Sequence, residues 1–210
     1  VFGDWSSDVC SSDLAAALAD KHPVKAYVFT EPEDNGRLSE FIRILSDHQI
    51  RLYSLSKDII RDGFTFKSGS SYIVPLKQNE YRFIRSLFEP VKEFTDSTFY
   101  DISTWVLPMS FNIQYIPLTV LKEVESLKGE EIHEPPVVAG RITGPEDPYA
   151  YLFEWNEYKA PSALYELQNA GIRTRVAMGK FSFRNNELDH TFTYGTIMIH
   201  TEDQPLSRAE

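Results

Sequence analysis

The fold is decided by residues 27–55, which read YVFTEPEDNGRLSEFIRILSDHQIRLYSL. Tyr27-Val28-Phe29 is an aromatic and β-branched run bounded by prolines, a pattern typical of a buried strand. Apolar residues then recur at helical spacing, at Leu38, Phe41, Ile42 and Leu45. A second strand is predicted over residues 50–55. Because strands alternate with helices, we expect an α/β fold with a mostly parallel sheet flanked by helices.

The same order of elements returns in the last third of the chain. Tyr151-Leu152-Phe153 is predicted as a strand, and the helix after it has Pro161 in its first turn and Gly171 past its end. In an alignment of the two segments, Ile50-Arg51 matches Ile172-Arg173, and Gln78 falls near Gln204. We interpret the pattern as a weak internal duplication.

The resulting boundaries divide the chain into four parts. Residues 15–128 are predicted as a first α/β unit with a connecting insert, and residues 149–210 as a second, truncated unit. The stretch 129–148 is rich in proline and glycine, which favours a linker. The second unit stops where its counterpart begins a helix, so we expect a cut C-terminus.

Residues 4–14 read DWSSDVCSSDL and look like the translation of a sequencing-adapter oligonucleotide. We therefore expect residues 1–14 to be non-native and Ala15 to lie inside a longer protein. The single cysteine, Cys10, falls in this segment. The remainder of the chain has no thiol for a disulfide, a metal ligand or a nucleophile.

Composition excludes several classes of partner. Hydrophobic residues make up 42% of the chain, enough for a packed core. The formal net charge is -10, which disfavours binding to nucleic acid or anionic membranes. No apolar run approaches the roughly 20 residues of a membrane-spanning helix.

Two motifs suggest a family. Residues 72–78 read YIVPLKQ, and residues 99–109 read FYDISTWVLPM. Together they resemble the segment that follows the peptidase domain in large bacterial zinc carboxypeptidase-like proteins. There, a strand ending in V-P-x-x-Q precedes a Y-D-[IV]-[ST]-x-W-x-L-P signature.

The resemblance implies glutamine amidotransferase-like (flavodoxin-like) units in a non-catalytic accessory region. The longer protein of which this chain would be a part, here called the parent, would be a zinc metallocarboxypeptidase that hydrolyses peptides. It would be secreted, periplasmic or envelope-associated. The implied partner is the upstream peptidase domain of the same polypeptide, with peptide as a further candidate. Zinc would belong to the parent, and we expect no cofactor in this region.

Chemistry by the chain itself has little support in the sequence. Zinc carboxypeptidases hold their metal with an H-x-x-E pair and a later histidine. None of the five histidines, His22, His48, His133, His190 and His200, has a glutamate three residues on. A glutaminase would need a cysteine nucleophile, and outside the adapter-like segment there is none. We therefore predict no catalytic and no metal-binding residues.

Two clusters are candidates for binding or docking. Tyr100, Asp101 and Trp105 would either cap and bury a short helix or contact the peptidase domain. Glu154, Trp155 and Tyr158 follow a strand, where open α/β sheets bind ligands, although acidic residues also favour a helix start. The counterpart in the first unit is the acidic stretch 30–35. An independent ligand-binding module is thus the alternative to an accessory region.

Overall fold

The computed structural model describes residues 14–90, 106–184, 189–202 and 204–205. The chain divides into two compact units, Val1–Val137 and Val138–Glu210. Each unit has a β-sheet of its own. Within the described ranges, no helix is long and apolar enough to cross a membrane.

The first unit contains five helices and seven strands in its described part. In chain order they are α1 (residues 14–21), β1 (Ala26–Thr30), α2 (Asn35–Asp47), β2 (Leu52–Leu55), β3 (Ile59–Arg61), β4 (Phe64–Phe66), β5 (Ser71–Pro75), α3 (Tyr81–Phe88), α4 (Leu107–Ser110), β6 (Gln114–Leu118), α5 (Leu121–Leu127) and β7 (Lys128–Ile132). The predicted strands at 27–29 and 50–55 are confirmed, within two residues at their ends, and so is the helical pattern from Leu38 to Leu45, which lies inside α2. The stretch predicted as a linker, 129–148, contributes its first residues to β7.

Five of these strands form one sheet in the order β6-β1-β5-β2-β7. Every neighbouring pair is antiparallel, with Phe29 opposite Tyr72 in one pair and opposite Tyr115 in another. The connectivity β1-α2-β2-β5-α3-β6 is that of a split β-α-β, or ferredoxin-like, arrangement. The strands β3 and β4 form a hairpin inserted between β2 and β5.

The prediction of a mostly parallel, glutamine amidotransferase-like (flavodoxin-like) sheet is wrong. β1 and β2 do point the same way, as a β-α-β unit requires, but β5 lies between them and runs in the opposite direction. Hydrophobic patterning reports which residues are buried, and it does not report which strand is the neighbour. The sequence therefore could not distinguish adjacent parallel strands from a split pair.

The sheet of the first unit is covered on both faces. Tyr27, Phe29, Leu52, Tyr72 and Val74 face α2 and α3 in one buried cluster. The opposite face, which includes Val28, Ile73 and Ile116, packs against Val124 and Leu127 of α5 and Phe66 of β4. Burial on both faces explains why the strands read as continuous apolar runs rather than as an alternating pattern.

The second unit contains one described helix and five strands. They are β8 (Ala150–Phe153), α6 (Ala160–Asn169), β9 (Arg175–Val176), β10 (Phe181–Arg184), β11 (Asp189–Phe192) and β12 (Ile197–His200). Pro161 lies in the first turn of α6, and Gly171 follows its end with a left-handed φ of 77°, as the sequence predicted. The sheet has the order β8-β12-β9, again with antiparallel pairs, and β10 and β11 form a hairpin.

The two units share connectivity and register. In each, a strand, a helix, a second strand, a hairpin and a third strand follow in order, and the third strand lies between the first two. Phe29 opposite Tyr72 corresponds to Phe153 opposite Ile197. Tyr53 opposite Ile73 corresponds to Arg175 opposite Met198. The correspondence therefore holds residue by residue across the three strands.

A glutamine makes the same hydrogen bonds in both units. Gln78 Oε1 accepts from the Arg51 N–H at 2.8 Å, and its Nε2 donates to the carbonyls of Arg51 and Pro75. Gln204 Oε1 accepts from the Arg173 N–H at 2.8 Å, and its Nε2 donates to the carbonyls of Arg173 and His200. Each glutamine ties the start of one strand to the end of another. We call the two sets of bonds the glutamine clamps.

Candidate binding clefts

The first unit has a cleft of about 380 Å³ where β1 ends and α2 begins. Thr30, Pro32 and Asn35 form one side, and the hairpin β3–β4 forms the other. The hairpin turns at Asp62 and Gly63, whose φ angles of 53° and 80° fit a two-residue turn matched to the strand twist. The full lining is Thr30, Pro32, Asn35, Gly63, Phe64, Thr65, Lys67, Ser70 and Gln114.

The acidic stretch 30–35 is used by the turn itself. Glu31 is only 4% exposed, and its Oε1 accepts hydrogen bonds from the N–H groups of Glu33 and Asp34. Asp34 caps α2 by accepting from the Arg37 N–H at 2.9 Å, and both carboxylates lie within 4 Å of the Arg37 guanidinium. These carboxylates therefore shape the loop and start the helix. The groups in the cleft that are available to a ligand are hydroxyl and amide groups, the Lys67 ammonium and the Phe64 ring.

In the second unit, the predicted binding residue Glu154 is joined to the hairpin end. Its Oε1 accepts from both the N–H and the hydroxyl of Thr193 at 3.1 Å. Its Oε2 lies 3.4 Å from His190 Nε2 on β11. No pattern in the sequence predicted this link, because Thr193 and His190 are far from Glu154 along the chain. Glu154 thus holds the hairpin against the end of β8.

The two aromatic residues of this cluster are partly exposed. The Trp155 side chain lies against Gly195, where an added Cβ would come within 3.3 Å of the Trp155 Cβ. Trp155 and Tyr158 are 44% and 41% exposed, and the Lys159 ammonium lies 5.5 Å from the centre of the Tyr158 ring. Gly195 has a φ of 88°, so a side chain there would be both strained and crowded. The structure places Glu154 and Trp155 at one turn, directly after β8.

The other predicted docking residues, Tyr100, Asp101 and Trp105, lie outside the described residues. Pro108, from the same motif, lies in the first turn of the short helix α4 and is buried. Ile113, just after α4, is buried in the cluster on the sheet face that α2 and α3 cover. Leu107 and Phe111 are partly buried against that cluster.

The histidines do not form a zinc site in the part of the chain described. His22 Nε2 lies 3.5 Å from Glu89 Oε1, His48 packs edge-on to Phe83, and His200 packs edge-on to Tyr149. Among described residues, no three of His, Cys, Asp and Glu converge as metal ligands would.

Comparisons with known sequences and structures found no similar protein. The chain matches no family model, no curated protein and no solved structure.

Proposed function

We propose that this chain is a non-catalytic accessory region of a longer, zinc carboxypeptidase-like protein. The observation that carries the proposal is the contrast between the cores of its two units. In the first unit both sheet faces are covered, whereas the second leaves Tyr149, Tyr151, Val176, Met178, Phe181, Phe183 and Tyr194 exposed. Exposed apolar side chains in such number favour a surface that another polypeptide covers.

The assignment to a carboxypeptidase-like parent rests on the motifs at 72–78 and 99–109. In this proposal, zinc and peptide hydrolysis belong to the peptidase domain, and this region supports that domain or restricts access to it. Fold alone supplies no activity, and a ferredoxin-like unit serves many functions.

The test is recovery of the complete reading frame by amplification outward from the codons after Leu14. We expect an upstream domain with H-x-x-E and a later histidine. The full protein should contain zinc and release C-terminal residues from peptides, and the purified 210-residue chain should do neither. An upstream region without that metal motif, or peptide hydrolysis by the short chain, would overturn the proposal.

A ligand-binding module is the second candidate, and the cleft at Thr30 and Asn35 favours it. Lys67 would pair with a carboxylate and Phe64 would cover an apolar group. Titration of the chain with alanyl-alanine, followed by amide chemical shifts, tests this candidate. Shifts confined to the cleft and abolished by Lys67→Ala would support it, and their absence at millimolar peptide would count against it.

A further inference from the structure

The first unit shows which elements cover the sheet face that packs against α2 and α3. The Tyr27 ring stacks on Phe88 of α3 with 4.7 Å between centroids, and it lies 6.3 Å from the Tyr115 ring of β6. β6 also pairs with β1 along its whole length, from Ala26 opposite Leu118 to Thr30 opposite Gln114. Two elements, α3 and β6, therefore close this side of the first unit.

In the second unit the equivalent positions are open. By strand register Tyr151 corresponds to Tyr27, and it is 38% exposed where Tyr27 is 3% exposed. Phe153, Ile199, Leu164 and Leu167 are only partly buried, whereas their counterparts Phe29, Val74, Ile42 and Leu45 are fully buried. Among the described residues, β8 pairs only with β12. Its other edge therefore carries the backbone groups that β1 uses to bind β6.

The glutamine clamp indicates where the missing elements attach. In the first unit the Gln78 carbonyl accepts from the Tyr81 N–H at 3.1 Å, and α3 starts there, three residues after Gln78. Gln204 makes the corresponding side-chain bonds at the end of β12. Gln204 therefore occupies the position from which, in the first unit, the chain enters α3.

We propose that the second unit is completed by a helix and then a strand, supplied by the same polypeptide downstream of residue 210. The helix would lay an apolar, aromatic-bearing face over Tyr151, Leu164 and Leu167. The strand would pair antiparallel with the free edge of β8, as β6 pairs with β1. This inference deepens the proposed function, because it names the polypeptide that covers part of the exposed second unit.

The experiment compares the 210-residue chain with a chain extended by about 50 codons of the natural downstream sequence, sized on the span from Gln78 to Leu118. The readout is hydrogen exchange of the amides of residues 150–153. We expect exchange of the outward-facing amides to slow by about tenfold or more in the extended chain. A stop codon directly after residue 210, or an extended chain in which β8 exchanges as fast as before, would overturn the inference.

Paired variants locate the covering segment. Tyr151→Ser should restore fast exchange of β8 in the extended chain and change little in the short one. Tyr165→Ser is the matched control, because Tyr165 corresponds to the exposed Arg43 on the outer face of its helix. Equal effects of the two variants on β8 exchange in the extended chain would contradict the inference.

Two further readouts separate alternative outcomes. Sedimentation of the extended chain identifies protection that arises only on dimerisation, which would assign the face to a second copy and overturn the inference. Zinc content of the full-length protein is measured separately. Protection of β8 in a parent without zinc would defeat the proposed function and leave this inference standing.

Discussion

At the residue scale, the glutamine clamps show that the two units correspond. Gln78 is 7% exposed and makes three side-chain hydrogen bonds, whereas Gln204 makes the same three from a less buried position. A buried amide that satisfies backbone groups of two strands is costly to remove, because those groups lose their partners.

We predict that Gln78→Ala lowers the free energy of unfolding by about 1–3 kcal/mol, and that Gln204→Ala lowers it by about 1 kcal/mol or less. The difference follows from the smaller exposure of Gln78 to water, which can replace lost partners only at the surface. Urea denaturation measures both values. Gln168→Ala on the exposed side of α6 is the control, and a loss there equal to that of Gln78→Ala would refute a role for the clamp.

Tyr27 makes the stability of the folded chain decrease at high pH. Burial of its phenol, together with the nearby Glu89 carboxylate, raises the pKa of Tyr27 to about 12. Between pH 10 and 12 the unfolded chain loses this proton while the folded chain keeps it, so stability falls as pH rises. We expect the Tyr27 phenol to account for a loss of about 2–3 kcal/mol over this range.

The measurement is chemical denaturation at pH 9 and at pH 12 for the natural chain and for Tyr27→Phe. The variant should lose less stability than the natural chain, because phenylalanine has no proton to release. A variant with the same loss would show that other groups, such as lysines, determine the high-pH unfolding.

At the element scale, equivalent helices are buried to different extents. Ile42 of α2 is fully buried, whereas its counterpart Leu164 of α6 is only partly buried. We predict that Ile42→Ala destabilises its helix by about 2–5 kcal/mol, and that Leu164→Ala costs about 1 kcal/mol because less surface is lost from contact. Peptide-resolved hydrogen exchange measures each helix separately, and equal costs would contradict an open face on the second unit.

Elements with strong local signals could be predicted from the sequence, and their neighbours could not. Leu38, Phe41, Ile42 and Leu45 located α2, and the Pro161 and Gly171 pair bounded α6. The hairpin β3–β4 and its counterpart β10–β11 were not predicted, because their strands are short and largely exposed and so lack a clear alternating pattern.

In the candidate binding regions too, positions along the chain could be predicted from the sequence and long-range contacts could not. The sequence placed Glu154 at the end of a strand, but its contacts with Thr193 and His190 depend on how the hairpin folds back. Likewise the acidic stretch 30–35 was expected at a strand end, and its carboxylates turned out to bind the turn's own N–H groups. Long-range pairing therefore decides which polar groups remain for a ligand.

At the scale of the whole molecule, the chain consists of two related units whose sheets differ in burial. In the part of the chain that the structure describes, the first has a five-stranded sheet covered on both faces, and the second has a three-stranded sheet with partly exposed apolar residues. Small sheets need a covered apolar face for independent stability. The second unit should therefore be the less stable of the two in the 210-residue chain.

The most direct test of this account is hydrogen exchange of the 210-residue chain, comparing residues 26–30 of β1 with residues 150–153 of β8. β1 is paired on both edges, and β8 on one among the described residues. We predict slow exchange throughout β1, with opening free energies near that of global unfolding, and fast exchange of the outward-facing amides of β8. Protection of β8 equal to that of β1 would contradict an incomplete second unit.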